Sequence, residues 1–486
     1  MDRRSVFLQV FPSIMLPMFI AVMDQTIVAT ALPAIAASLG EVGRISWVVV
    51  SYLFAGTVAA PVYGRLGDAF GRRRLMLVAL PIFMVASLVC AASRSVEMLA
   101  FARVLQGFGG GGLMTLSQAL IGESVPPRER GRYQGYLAAV VVCSNTFGPV
   151  VGGYLAQHFG WPSIFLINLP LGLVSLLLTL RLEARPGMRT GKRFDYPGLL
   201  LFVLFVASAL LALEQIQQMD AGALPVIFAL AATAIGALVG LLWQEKRAFL
   251  PLLPIALLRQ PAIWRSDALA ACHGAALVGL ITFLPIYLRV GHGLSATETG
   301  LILLPLMIGL GVGSMITGRI VTQTGRLSVF PSYGLIVVTL NLLALAVWAP
   351  HLSTTMLPWI LLWNGLFMGT VMGVVQVTVQ SVAGPTMLGA AAASVQFSRS
   401  VGAAFGTAIV MAVLFATLAV RDQETARLFA NTIQRGGDVL AGLPPGRQAT
   451  VKAEISEAFR AAFYTIAGFT TIGLVLAWSS PAQRLE

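Results

Sequence analysis

The chain is a succession of long apolar runs separated by short polar gaps. It shows neither the alternation of half-buried strands nor the one-sided stripe of soluble helices. About fourteen runs are read, each near the ~20 residues that a helix needs to cross a bilayer. Their approximate cores are Leu8–Ala36, Ile45–Tyr63, Leu75–Ala92, Met98–Ile121, Tyr133–Ala156 and Ile164–Leu180 in the first part of the chain. Tyr196–Leu213 and Leu224–Trp243 follow, and then Asp267–Leu288, Gly300–Ile320, Val329–Trp348, Leu357–Val382, Ala390–Ala419 and Phe463–Trp478. Barrel strands would be shorter and alternating. The pattern predicts an all-α polytopic membrane protein.

Composition agrees. Of 486 residues 57% are hydrophobic and only 11% charged, against about 25% charged in soluble domains. The net charge of +12 suggests nucleic acid until its distribution is considered. Basic residues cluster in alternate gaps: Arg3–Arg4, Arg65 with Arg72–Arg74, Arg128–Arg132, Arg181–Arg193, Lys246–Arg265, and Arg319 with Arg326. The intervening gaps, such as Ala156–Trp161 and Met219–Leu224, are nearly uncharged. That is the positive-inside pattern, and it predicts a multi-pass protein of the cytoplasmic (inner) membrane with both termini cytoplasmic and no nucleic-acid partner. Arg3–Val22 has the look of a signal peptide, but apolar sequence resumes after Asp24, so a retained first span is expected. The three cysteines fall in separate apolar runs, as core residues rather than a disulfide framework. Residues 421–460 form a long mixed-charge connection on the outer face, expected as two short amphipathic helices around a turn at Gly436–Gly437.

Two charged hinges organise the chain. Gly64–Arg74 reads GRLGDAFGRRR, and Gly318–Arg326 echoes it as GRIVTQTGR. Gly64 aligns with Gly318 and Gly71 with Gly325, whereas Asp68 aligns with Thr322, so the second copy lacks the acid. The hinges fall at equivalent positions if the seventh and eighth spans are an insertion into a duplicated twelve-span core. The expected domains are then 1–182, a linker with two extra helices at 183–260, and 261–486. Asp68 is placed to meet the positive N-terminal end of a second-half helix beginning near Pro385–Leu388.

Few polar residues lie at membrane depth, which makes each informative. Asp24 lies inside the first span, and Arg103, two turns into the fourth, is its natural partner. Gln106 shares Arg103's face. Proton coupling or substrate binding is one reading of this group, and a fixed ion pair the other. Gly109–Gly112 lies inside a span with no following Lys-Ser/Thr, so it reads as a site of close helix approach rather than a phosphate loop. Gly148, Pro149, Gly152 and Gly153 predict a bent, closely packed fifth span at an interface between halves. Glu123 is set to pair with Arg130, while Asp267 and Glu214 are expected at the interface with water. His273 reads as a packed residue. Asn145, Asn364, Gln376, Gln380, Gln396 and Arg399, among Met368, Met372 and Phe397, suit either a cavity wall or helix–helix contacts. The scattered histidines and cysteines offer no metal site, and no nucleophile–base pair can be assembled, so no enzyme activity is expected.

Taken together, these residues resemble the major facilitator superfamily in its fourteen-helix drug:proton antiporter branch. Gly64–Arg74 matches the loop between helices two and three, with Gly64, Asp68, Gly71, Arg72 and Arg73 as its gating residues. Met23–Pro33 (MDQTIVATALP) resembles the first-helix motif, Arg103–Gly107 (RVLQG) the fourth-helix motif and Gly148–Gly153 (GPVVGG) the antiporter motif, and Trp161–Pro170 (WPSIFLINLP) also looks characteristic. The resemblance implies two six-helix bundles about a cavity, rocking between alternating states, with the extra helix pair linking them. It implies further that Asp68 holds the cytoplasmic side closed and that Asp24 or Arg103 exchanges protons. The function so implied is proton-coupled export of lipophilic or amphipathic drugs, with no cofactor beyond the proton motive force. Small-molecule substrate, protons and membrane lipid are then the partners; a monomer is expected, and a periplasmic adaptor is left open. A dedicated exporter of a lipid or natural product is the alternative, and a polytopic enzyme acting on lipid-linked substrates a remote one. With no acid expected deep in the second half, neutral or monocationic substrates are favoured.

Overall fold

The structure, a computed structural model, describes residues 10–39, 45, 47–183, 195–218, 222, 224–248, 251–348, 355–435, 444–481 and 484. Among these residues it is helical, apart from an isolated bridge between Arg326 and Arg484. The helices are α1 Phe11–Leu39, α2 Trp47–Phe70, α3 Arg72–Ala91, α4 Val96–Ser124, α5 Pro127–Phe159, α6 Ser163–Leu180 (with a turn at Ile167), α7 Tyr196–Gln218 and α8 Leu224–Glu245. The series continues with α9 Pro261–His292, α10 Ala296–Thr324, α11 Val329–Trp348, α12 Leu357–Ala383, α13 Leu388–Arg421 and α14 Pro445–Trp478. Thirteen of these are long and apolar enough to cross a membrane. The fourteenth, α4, is 29 residues long but owes its lower hydropathy to glycines, hydroxyls and amides. It packs against α1, α2 and α3, so helices rather than lipid surround much of it.

The glycines of α4 show why. A Cβ on Gly107 would lie 2.4 Å from the Tyr52 carbonyl oxygen, and one on Gly111 would lie 2.4 Å from that of Gly56. Small residues let backbones approach where lipid offers no hydrophobic drive for association. Helix ends are marked by local chemistry. The Ser95 hydroxyl accepts from the Met98 N–H at 3.1 Å to start α4, and Ser295 and Glu298 form a reciprocal capping box at α10. Gly71, with φ 97°, separates α2 from α3 in a conformation costly for other residues.

Helices α1–α6 pack on one another, as do α9–α14, while α7 and α8 pair together and touch α2 and α13. Phe202 and Val206 of α7 and Leu241 of α8 join Val58 and Val62 of α2 in one buried cluster. Outward faces carry exposed apolar side chains, among them Val85, Phe101, Leu200, Phe228, Ile235 and Leu340, an area far too apolar for water.

The connection at 421–460 departs from expectation. Among its described residues, Gln423–Arg435 is a separate helix, whereas residues 445–460 are the start of a continuous α14 of 34 residues. Phe429 is fully buried between Phe415 and Phe459, with ring centroids 5.6 and 5.9 Å away, and this apolar contact draws the segment onto the body. Arg447 donates to Asp422 at 2.5 Å, and the Thr425 hydroxyl donates to it at 2.9 Å. These bonds hold the Asp422 carboxyl down at about 2. Gly436–Gly437 and the first residues of the chain lie outside the described residues.

Candidate functional site

Asp24, on α1, is completely buried and is met by three donors from two helices, α4 and α6. Arg103 Nη1 donates to its Oδ2 at 2.5 Å, while Gln106 Nε2 and Asn168 Nδ2 donate to Oδ1 at 2.9 and 2.7 Å. Arg103 Nη1 also reaches Gln106 Oε1 at 2.6 Å, and Arg103 Nε reaches the Val48 carbonyl at 3.2 Å. The guanidinium lies 4.1 Å above the Tyr52 ring centroid, a cation–π contact. Ser87 accepts from Gln106 at 2.7 Å. Truncating one partner of such a buried pair costs about 3–5 kcal/mol, because the remaining charge is stranded. The sequence brings Asp24, Arg103 and Gln106 to notice and overlooks Asn168, Ser87 and Tyr52. For Asn168 the signal was an amide in the otherwise apolar run LINLP.

A second constellation lies at the end of the molecule carrying residues 64–74. Asp68 accepts from the Gly389 and Ala390 N–H groups at 2.8 and 2.9 Å, at the start of α13. Here a carboxylate meets the partial positive charge of a helix N-terminus. Arg72 joins it to the first group of helices, donating to Asp68 and to Glu123, both at 2.5 Å. The expected partner of Glu123, Arg130, is taken up instead by the Val125 and Gly122 carbonyls at 3.1 and 2.6 Å; it straps the end of α4. Arg73 Nη2 donates to the Leu180 carbonyl at 2.8 Å. Gly64 and Gly389 touch backbone to backbone, and a Cβ on Gly64 would lie 2.5 Å from the Gly389 oxygen.

The other hinge makes the pseudo-equivalent contact. A Cβ on Gly318 would lie 2.1 Å from the Gly131 oxygen, and Thr322 Oγ1 accepts from the Arg132 N–H at 3.2 Å. Thus α2 meets α13 as α10 meets α5, with a hydroxyl where the first copy has a carboxylate.

Between these contacts and the middle of the molecule lies a cavity of about 200 Å³. Met18, Val22 and Gln25 of α1 and Met114 and Gln118 of α4 wall one side with Gln134 and Asn145 of α5. Opposite are His273 and Leu277 of α9, Ser314 of α10, Met368, Met372 and Gln376 of α12, and Gln396 and Arg399 of α13. Of the six expected wall residues, Asn145, Gln376, Gln396 and Arg399 line it. Asn364 does not, being buried inside the second group of helices. Gln380, one helical turn from Gln376, instead donates to the Gln118 carbonyl at 2.9 Å and helps seal the floor.

Gly148 and Gly152 do not lie between halves. A Cβ on Gly148 would lie 2.0 Å from Thr26 Oγ1, and one on Gly152 2.6 Å from the Ile27 oxygen. Both therefore pack α5 onto α1 within the first group. Contact between halves belongs to Gly131 and Gly135 of the same helix, which face Gly318 and Met315. Pro149 lies inside α5, and Gly153 faces open space. Asp267 is 6% exposed, not interfacial, and accepts from the Ser394 hydroxyl at 3.2 Å. His273 is buried as expected, its Nε2 3.2 Å from the Met368 oxygen, yet it also lines the cavity.

Two groups of membrane-length helices facing a central cavity, sealed at one end by helix-terminal contacts, define a polytopic membrane transporter. Residues 14–407 match the model of the Major Facilitator Superfamily, and the chain belongs to that family. It is 34% identical over 482 residues to the uncharacterized MFS-type transporter Rv1877 of Mycobacterium tuberculosis, covering 98% of this chain and 69% of that protein. It is 31% identical over 408 residues to the multidrug transporter protein MdtP of Bacillus subtilis, covering 82% and 74%. Among solved structures, the human organic anion transporter MFSD10 superposes with a TM-score of 0.68 at 15% identity, covering 96% of this chain and 99% of that one. The proton:xylose symporter XylE superposes with a TM-score of 0.66 at 13% identity, covering 100% and 98%.

Proposed function

We propose that the protein is a proton-coupled antiporter that exports lipophilic or amphipathic compounds across the cytoplasmic membrane by alternating access. The observation that carries this reading is the Asp24–Arg103 ion pair, sealed from water at 2.5 Å and adjacent in sequence to Gln25 on the cavity wall. A proton reaching Asp24 neutralises the carboxylate and frees Arg103 from it. Gln106 and Asn168 position the two groups and lose a charged acceptor at the same moment. Such a change weakens one packing of α1 against α4 and favours another, which is how a local charge event biases a two-state element.

Residues 1–182 and 261–486 are the two rocking bodies in this account, and residues 183–260 the linking helix pair. The Gly64–Gly389 and Gly131–Gly318 contacts form the cytoplasmic gate, here closed, with both termini on that side. No cofactor takes part. Each elementary charge crossing the field gains about 2.3 kcal/mol per 100 mV, enough for one proton to support modest accumulation. The protein acts as a monomer on small molecules. Met18, Met114, Met368 and Met372 on the wall favour a range of apolar ligands over one dedicated lipid or natural product, because the thioether chain adapts to shape.

The test is efflux of a chemically diverse dye panel from proteoliposomes under an imposed pH gradient. Wild type should extrude several dyes only with the gradient. Asp24→Asn should lose the gradient dependence while still binding dye, and full proton-dependent efflux by that variant would sink the assignment.

A further inference from the structure

The cavity wall is electrostatically one-sided. Arg399 of α13 lines it, and among the described residues no acid does. Nor does Arg399 have an ion-pair partner among the described residues. Arg103 is engaged with Asp24, Arg72 with Asp68 and Glu123, and Arg130 with two carbonyls, while Arg65, buried with its Nε unbonded, does not line the cavity. Arg399 alone among them faces the open space.

Its placement is built rather than incidental. A Cβ on Gly274 would lie 2.3 Å from the Arg399 carbonyl oxygen, and one on Gly402 would lie 2.0 Å from that of Ala271. The α9–α13 crossing is therefore tight on both sides of Arg399 and fixes its backbone. His273, next to Gly274, brings a second ring to the same wall. Its Nε2 is occupied by the Met368 carbonyl, while its Nδ1 is buried without a partner. Gln376 Nε2 on the same wall and Gln134 Nε2 across from it are also buried and unbonded.

A guanidinium on the cavity wall and buried, unsatisfied amide donors, set beside methionine and leucine, call for acceptors. From this juxtaposition we infer that the cavity selects amphipathic anions, compounds with an apolar body and a carboxylate-like head seated on Arg399. Arg suits this role because its planar fork binds a carboxylate through two parallel hydrogen bonds. A cationic head in the same place would face Arg399 with no acid to offset the repulsion. This inference rests on the export reading for its biological meaning. The site itself is defined by binding.

The experiment uses the full chain in nanodiscs and three fluorescent naphthyl amphipaths that differ only in a terminal carboxylate, primary amide or trimethylammonium. Wild type should bind the carboxylate at least about tenfold more tightly than the amide, as expected for a desolvated charge pair, and the ammonium most weakly. In Arg399→Gln that preference should collapse, and in Arg399→Lys it should survive in part. Equal or tighter binding of the amide or ammonium by wild type overturns the inference without any variant. So does a carboxylate preference undiminished in an Arg399→Gln protein that melts like wild type. The same probes in proteoliposomes test export separately: a headgroup preference without proton-driven movement supports the site and defeats the antiport reading.

Discussion

At the residue scale, Asp24 is held by more donors than an ion pair needs. Asn168 adds a bond of 2.7 Å to the oxygen that Gln106 also reaches. A hydrogen bond to a charged group contributes about 1.5–3 kcal/mol, so Asn168→Ala should lower thermal stability by that order, read as a melting shift in detergent. Unchanged melting would mean that Asn168 leaves Asp24 alone. The core of this cluster was legible because an acid and an arginine at membrane depth demand each other. Asn168 was not, since an amide in an apolar run serves equally well as helix–helix contact. Asn364 and Gln380 show the same ambiguity from the other side: residue type alone does not tell a cavity wall from a buried seam. The side of α12 that a residue faces, and its depth relative to the floor, decide that.

At the element scale, the two hinges are unequal copies of one device. Asp68 takes two N–H groups at the start of α13 and the Arg72 guanidinium, whereas Thr322 takes one N–H at 3.2 Å. Asp68→Asn should therefore slow the transport cycle much more than it weakens ligand binding, and Thr322→Ala should change either by less than about twofold, a surface-bond effect. Equal loss from both variants would show a symmetric gate. The repeat and the partner of Asp68 could be read from the sequence, because glycine spacing and a helix N-terminus carry specific geometry. The place of Gly148 and Gly152 could not: glycines announce a close approach without naming the helix that approaches.

The Gln423–Arg435 connection offers a pH test at the same scale. The Asp422 carboxyl is held below its ordinary value, chiefly by Arg447, at about 2. Its stabilising contribution is present above the unfolded value near ~3.9 and is lost as pH falls through the folded one. The melting difference between wild type and Asp422→Asn should be steady near neutrality and shrink between about pH 4 and pH 2. A difference that does not change over that range would remove the carboxylate from the account.

At the scale of the whole molecule, fourteen helices were countable from hydropathy, and even α4, too polar by composition, is betrayed by its length and glycines. What hydropathy could not give was the length of α14 or the docking of Gln423–Arg435, because amphipathic segments at the water interface satisfy several arrangements. The two bodies are sealed together at one end by glycine backbones, with a cavity above the seal and the Asp24 pair beside it. That arrangement can work as a pump only if charge at Asp24 and packing of the bodies are linked.

The most direct measurement is dye efflux from proteoliposomes against a stepped proton gradient, with dye binding measured on the same preparations. Wild-type efflux should rise with the gradient, and Asp24→Asn should retain dye binding but show no response to it. Gradient-driven efflux by Asp24→Asn equal to wild type would contradict proton coupling at Asp24.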